Sequence, residues 1–499
     1  MSKKIRFLSL VLALLMVASV FVACGETKEP EAGSVQGTGT HATVTEEETD
    51  PVEDALTAVR SEVDWGGEDF GILYVNDIGG YTEEVEAEQS VTNESSSAVI
   101  NDAVFERNTL FEEYCNLTFV LIPISNGGVI SRVQGEVQAP TGDFQLITTT
   151  TDVAANNATS GFLYNYLDLD IDYEQPWWDA GTLEFALDGK VFFMDGPFNI
   201  VDDDVTFVLM FNKQLREERK IANPYDTVRA GEWTLDYFNS IVSNLSNDSN
   251  GDGKMDEKDT YGFSTPGSIG NTFFYGAGLQ YVVNSREMDT PELVLDDKMD
   301  QALEVLAIAR SIVHDNNSTY VAPHGQEALS RDVFVEGRSL FYCEAASYLR
   351  GLNASMEREY GVIPVPKFNK EQEHYTTWRH SIGSTLSIPT SVAQKDMEQF
   401  GYVLEVYTLL SQKLVRPAYY EVMLTTRNVQ DVESSDMLDL IFQHRTYDMA
   451  MYFTTLGLGN LFEEAVKSSG DTFASSYSRA SNGFDKKIAS ILRKLQRPR

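Results

Sequence analysis

A chain of 499 residues is longer than one hydrophobic core ordinarily serves, so two or three packed units are expected. Its 42% apolar and 11% aromatic content exclude disorder along its whole length. A formal net charge of −38 repels phosphate backbones and excludes a nucleic-acid partner.

At the N-terminus, Lys3, Lys4 and Arg6 precede the apolar run FLSLVLALLMVASVFVA, which stops at Cys24. Residues 1–23 read as an export signal. FVAC-G resembles a lipoprotein processing site, with Phe21 where an aliphatic residue is usual. A lipidated Cys24 carrying two acyl chains anchors the chain to a membrane, as one chain does not; ordinary secretory cleavage and a single membrane span are the alternatives. No later run reaches the ~18 apolar residues of a membrane span. Residues 24–64 are rich in Glu, Thr, Gly and Pro and read as a disordered acidic tether.

The body then alternates. FGILYVND (70–77), LTFVLIPI (117–124) and FQLITTTTD (144–152) read as buried strands, and NDAVFERNTLFEEYCN (101–116) has helical spacing. Such alternation predicts a parallel α/β sheet, whose ligands sit beyond the carboxyl ends of the strands. Those ends carry Asn76, Asp77, Thr149, Thr150, Thr151 and Asp152. GKVFFMDGPFNIVDDDVTFVLMFNK (189–213) reads as two strands joined by a polar loop, with Asp202 and Asp203 in a solvated turn. PWW at 176–178 reads as packing against a sheet edge. The part beyond residue 396 is mostly helical. Besides Cys24, the chain has Cys115 and Cys343, and spacing decides between one disulfide and two buried thiols for neither.

DSNGDGKMDEKD (248–259) has the spacing of a calcium loop. Asp248, Asn250, Asp252, Lys254 through its carbonyl, Asp256 and Asp259 fall at the ligating positions, with Gly253 at the sharp turn. Asp259 stands where Glu is usual. A single loop followed by the strand-like TYGF predicts one structural calcium brace rather than a sensor.

These segments, taken in order, resemble the family 1 extracellular solute-binding proteins of bacterial ABC importers. The resemblance is carried by GDFQLITTT with GFLYNYLDLD, by GKVFFMDGPFNIVDDDVTFVLMFNK, and by NPYDTVRAGEWTLDYF. DVFVEGRSLFYCEAASYL, YGVIPVPK and STLSIPT complete it, over about residues 65–460. It implies an α/β, two-lobe, periplasmic-binding-protein-like clamp of type II with a hinge between lobes. Residues 65–200 and 367–499 would form lobe 1 and 201–366 lobe 2, the chain crossing near 196–206 and 366–384. It further implies a monomer on the outer face of the bacterial cell membrane that captures a carbohydrate, an oligosaccharide, for an ABC permease. Asn76, Asp77, Thr150, Asp152, Asp204, Phe274, Tyr275, Glu344, Tyr348, Trp378, Tyr419 and Tyr420 are the ligand-binding residues it points to.

A peptide or another small polar solute is the alternative ligand. A secreted glycosidase shares the same materials, carboxylates and aromatic subsites. Yet GxSxG, HExxH and a Gly-rich phosphate loop are all missing, and His41, His314, His324, His374, His380 and His444 have no ligand spacing. No catalytic residue is assigned.

Overall fold

The structure, a computed structural model, describes residues 50–495 apart from 79–87, 90–97, 268, 286, 289, 316, 393–396, 427–428, 431, 469 and 471. The export signal, Cys24 and the tether as far as residue 49 lie outside the described residues.

Ten strands build two five-stranded sheets. They are β1 (Asp69–Val75), β2 (Thr118–Ile124), β3 (Leu146–Thr150), β4 (Phe193–Met194), β5 (Phe207–Asn212), β6 (Tyr261–Thr265), β7 (Thr319–Val321), β8 (Ser339–Ala345), β9 (Tyr360–Ile363) and β10 (Ser384–Ser387). The first sheet runs β2-β1-β3-β10-β4 and the second β9-β5-β8-β6-β7. Strands β3, β5, β6 and β8 are buried along their whole length, as strands covered on both faces must be. In β1, Ile72 pairs with Leu121 and Leu146, while Gly71 passes so close to Asp143 that a Cβ there would meet its carbonyl oxygen at 2.1 Å.

Neither sheet is purely parallel. β1, β2 and β3 run parallel, but β10 runs antiparallel to β3 and to β4. In the second sheet β5 opposes both β8 and β9. The antiparallel strands are those the chain enters as it passes from one sheet to the other, where no right-handed helical crossover sets the direction.

The chain leaves the first sheet after β4, makes one helical turn at Val201–Asp204, and enters β5. It returns between β9 and β10. The two passages lie side by side: Thr206 pairs with Arg379, the His380 amide donates to the Val205 carbonyl at 3.1 Å, and the Thr377 hydroxyl donates to the Phe207 carbonyl at 2.8 Å. The Phe207 and Trp378 rings stack at 4.9 Å.

Two boundaries differ from those expected. The tether does not extend to residue 64, because Pro51–Arg60 is a helix, capped by the Asp50 side chain on the Val52 amide. It buries Leu56 and Val59 against the helix Met397–Leu410. Residues 367–499 do not belong to the first sheet alone. Met397–Leu410 covers that side, but Val432–Gln443 lies on β9 and Leu461–Lys467 on the helix Gly270–Gly276, both of the second. Cys115 and Cys343 are free and buried. Among the described residues no helix is long and apolar enough to cross a membrane.

Candidate ligand site at the lobe crossing

The outward passage carries three consecutive aspartates, and the solvated turn expected for Asp202 and Asp203 is not found. All three are 2% exposed or less, because the turn is sandwiched between the return passage and the C-terminal helices. Burying a carboxylate costs several kcal/mol unless it is paired, and each one is. Asp204 accepts from Arg350 at 2.6 Å and from the Tyr419 hydroxyl at 3.0 Å. Asp203 accepts from Arg445 at 2.9 Å and from Arg416. Asp202 accepts from Arg445 at 2.6 Å, and its other oxygen lies 2.5 Å from Arg379 Nε, a charge contact without hydrogen-bond alignment. Arg379 Nε donates instead to Asp195 at 3.0 Å, and Arg445 reaches on to Asp179.

Burial pushes the Asp203 and Asp195 carboxyls above the usual range against the pull of these guanidiniums. Burial alone would lower Arg445, but Asp202, Asp179 and Asp203 around it raise it well above the ordinary arginine value. The two passages are thus locked together by a buried, alternating cluster of arginine and aspartate.

Beside this cluster lies a cavity of about 480 Å³. Its wall includes Trp177, Trp178, Arg416, Tyr420, Phe442 and Arg445. Arg416 lies over both Tyr420 and Phe442, 5.2 and 5.1 Å from their ring centres. Trp178 packs edge-on to Tyr173 and Phe198, which fixes its orientation. A second cavity of about 280 Å³ shares Gly181, Gln443 and Arg445 with the first. There the His374 and His444 rings stack at 4.2 Å, and burial, then Asp179 and Asp448, lifts the Glu184 carboxyl to about 7. Rings with apolar faces beside charged, multidentate groups can hold a polyhydroxylated molecule, which has apolar CH faces and hydroxyl edges.

Of the twelve residues expected to bind ligand, Tyr420 lines the larger cavity. Asp204 and Tyr419 join each other in the buried cluster. Phe274 and Tyr275 are core: Phe274 stacks on Tyr281 at 4.6 Å, and Tyr275 stacks on Trp378 at 6.0 Å and donates to Asp448, while Trp378 also lines a small cavity with Arg379 and Tyr447. Thr150 is buried where β3 pairs with β10. Asn76, Asp77 and Asp152 do sit just beyond β1 and β3. Asn76 and Asp152 are half-buried, and Asp77 is exposed and accepts from the Asn126 amide at 2.5 Å. Glu344, its carboxyl raised to about 7 by burial, lies at the end of β8, and the exposed Tyr348 opens the helix Tyr348–Ser355 that follows. Trp177 and Trp178, expected to pack on a sheet edge, are buried in one cluster with Met194 of the edge strand β4, and they also line the cavity. Arg416, Arg445 and Phe442 were not singled out. Arg416 and Tyr420, one helical turn apart on Arg416–Leu424, were the available signal.

In the loop 248–259, Gly253 takes the left-handed φ of +79° that the sharp turn demands. Its side chains, however, hold backbone amides. Asp248 accepts from Gly251 and Gly253, Asp252 from Lys254, Asp256 from Lys258, and the buried Asp259 from Ser249 and Asp256. Among the described residues no group of three or more His, Cys, Asp or Glu gathers to hold a metal.

No protein-family model matches the chain, and no curated protein matches it. Solved structures do. An ABC substrate-binding protein from Listeria monocytogenes, solved with cycloalternan, is 13% identical with a TM-score of 0.52 over 85% of this chain and 99% of that one. UspC of M. tuberculosis is 13% identical with a TM-score of 0.55 over 85% and 100%. The galacto-N-biose-/lacto-N-biose I-binding protein of Bifidobacterium longum, solved with lacto-N-biose, is 15% identical with a TM-score of 0.53 over 85% and 98%. These likenesses establish the fold: a mixed α/β, two-lobe architecture of the periplasmic-binding-protein type.

Proposed function

We propose that this chain is an extracytoplasmic solute-binding protein that captures an oligosaccharide by closure of its two lobes and delivers it to an ABC import permease. The observation that carries the reading is the cavity at the lobe crossing, walled by Trp177, Trp178, Tyr420 and Phe442 beside Arg416 and Arg445. It is supported by the fold, shared with proteins solved with cycloalternan and with lacto-N-biose. A ligand that touches both lobes shifts a hinge equilibrium toward the closed form, the form a permease would engage. In this reading the chain works as a monomer, held at the outer face of the membrane through Cys24, and does no chemistry on its cargo.

A ligand that binds only the folded state raises the unfolding midpoint by mass action, by about 2.7 kcal/mol of stability at a hundredfold excess over Kd. Thermal unfolding against mono- and oligosaccharides is expected to give a selective rise with no product formed. A rise with peptides alone would overturn the carbohydrate assignment, and sugar release would overturn the transport role.

The calcium brace at 248–259 is part of the same proposal, resting on the ligand spacing and on the turn at Gly253. Asp248, Asn250, Asp252, Asp256, Asp259 and the Lys254 carbonyl would supply the oxygens. Millimolar calcium should then raise the unfolding midpoint, a chelator should reverse it, and Asp252→Ala should abolish the response. An unchanged midpoint in calcium would leave the segment a hydrogen-bonded turn.

A further inference from the structure

Resting on the carbohydrate-capture reading, we propose that the cargo is an uncharged glycan, one end of which is held in the larger cavity between Trp177, Trp178 and Tyr420.

The charge in the wall argues against an anion. Both guanidiniums there are already committed, Arg416 to Asp203 and Arg445 to Asp179, Asp202 and Asp203. No lysine lines the cavity among the described residues. Asp179 and Asp439 also line it, and Asp202 and Asp203 lie immediately behind. A carboxylate or phosphate would therefore meet four carboxylates, Asp179, Asp202, Asp203 and Asp439, against the two guanidiniums, and like charges brought together are repelled. Peptide carboxyl termini, uronic acids and sugar phosphates are disfavoured by the same argument.

The rings in the wall, rather than its buried donors, argue for a sugar. The indole N–H groups of Trp177 and Trp178 and the Nε of Arg445 are buried without an acceptor among the described residues. These residues are 7% and 4% exposed for the two tryptophans, and the Arg445 side chain is 5% exposed. Those atoms do not open to the cavity, so a sugar in it meets the faces of the rings rather than these donors. The aromatic rings beside them suit its CH faces. Past Gln443, which lines both cavities and is exposed, the smaller one gives room for further units. That continuation favours an oligosaccharide over a single sugar.

Calorimetric titration of the full chain with two neutral probes, maltotetraose and lacto-N-tetraose, and one anionic probe, tetragalacturonate, tests this. The expected result is binding of a neutral probe at least tenfold tighter than tetragalacturonate. The double variant Trp177→Leu, Trp178→Leu removes both rings from the wall, and should weaken the neutral probe by tenfold or more. Should the double variant lower the unfolding midpoint of the ligand-free chain, Gln443→Trp decides instead. It fills the passage from an exposed position and should also weaken binding by tenfold or more. Tighter binding of tetragalacturonate overturns the uncharged cargo and leaves carbohydrate capture standing. Neutral binding that neither variant weakens overturns the location. Binding of none of the three overturns the carbohydrate reading itself.

Discussion

Replacing Arg445 with methionine is expected to destabilise the folded chain by about 3–5 kcal/mol, the cost of breaking a buried ion pair from one side. Among the described residues, Arg445 is the one side chain that touches Asp179, Asp202 and Asp203 together. Without it, Asp202 keeps Arg379, Asp203 keeps Arg416 and Asp179 keeps the Tyr447 hydroxyl, but four acidic groups counting Asp195 then share two guanidiniums. Urea unfolding at neutral pH measures the loss. Arg229→Met is the control, since Arg229 pairs with Glu433 and Asp436 at the surface, where solvent screens the pairs and their loss should cost little. The direction with pH is a further check. Asp203 already titrates above the usual range through burial, and losing Arg445 raises it further. The deficit should therefore shrink as acid protonates the unpaired carboxylates. A loss no larger than the Arg229 control would mean that the cluster does not hold the two passages together.

The strands were legible because burial on both faces leaves a continuous apolar run, as in FGILYV and FVLMF. The return of β10 into the first sheet was legible only through the resemblance, because nothing local in STLS sets its direction. The helix Pro51–Arg60 was readable in principle: Val52, Ala55, Leu56 and Val59 repeat at helical spacing, but the polar tract before them hid it. The site was less legible. An aromatic side chain looks the same in sequence whether it fills a core or walls a cavity, so Phe274 and Tyr275 could not be told from Tyr420. The reading of Asp202 and Asp203 failed for a different reason. Their arginine partners lie at 379, 416 and 445, and separations of that length leave no trace in local pattern.

Glu88→Gln is expected to remove a large part of the pH dependence of stability. Glu88 ties both passages: its Oε1 accepts from the Ile200 amide and the Ser384 hydroxyl, each at 2.6 Å, and from the Val201 amide. Burial raises its carboxyl to about 8, even though the Ser384, Val201 and Ile200 donors pull it down. Raised in the folded state above the usual 4.5, the group binds a proton that the unfolded chain has released. Its contribution is fully present below pH 4.5 and is lost as pH rises through about 8. At about 1.4 kcal/mol per pH unit the loss is on the order of 4–5 kcal/mol. Glu184, Glu344 and Glu405, each raised to about 7, and Asp448, raised to about 6, act in the same direction. The wild-type chain should therefore be more stable near pH 5 than near pH 9. Glutamine presents a carbonyl oxygen to the same three donors and never ionises. Its stability should lie close to that of wild type at pH 5 and exceed it above pH 8, with about one proton less taken up on folding near pH 6. Urea midpoints across pH 5–9 distinguish the outcomes. Parallel curves for the two proteins would mean that Glu88 is ionised in the fold, and that the amides of Ile200 and Val201 hold its charge against burial.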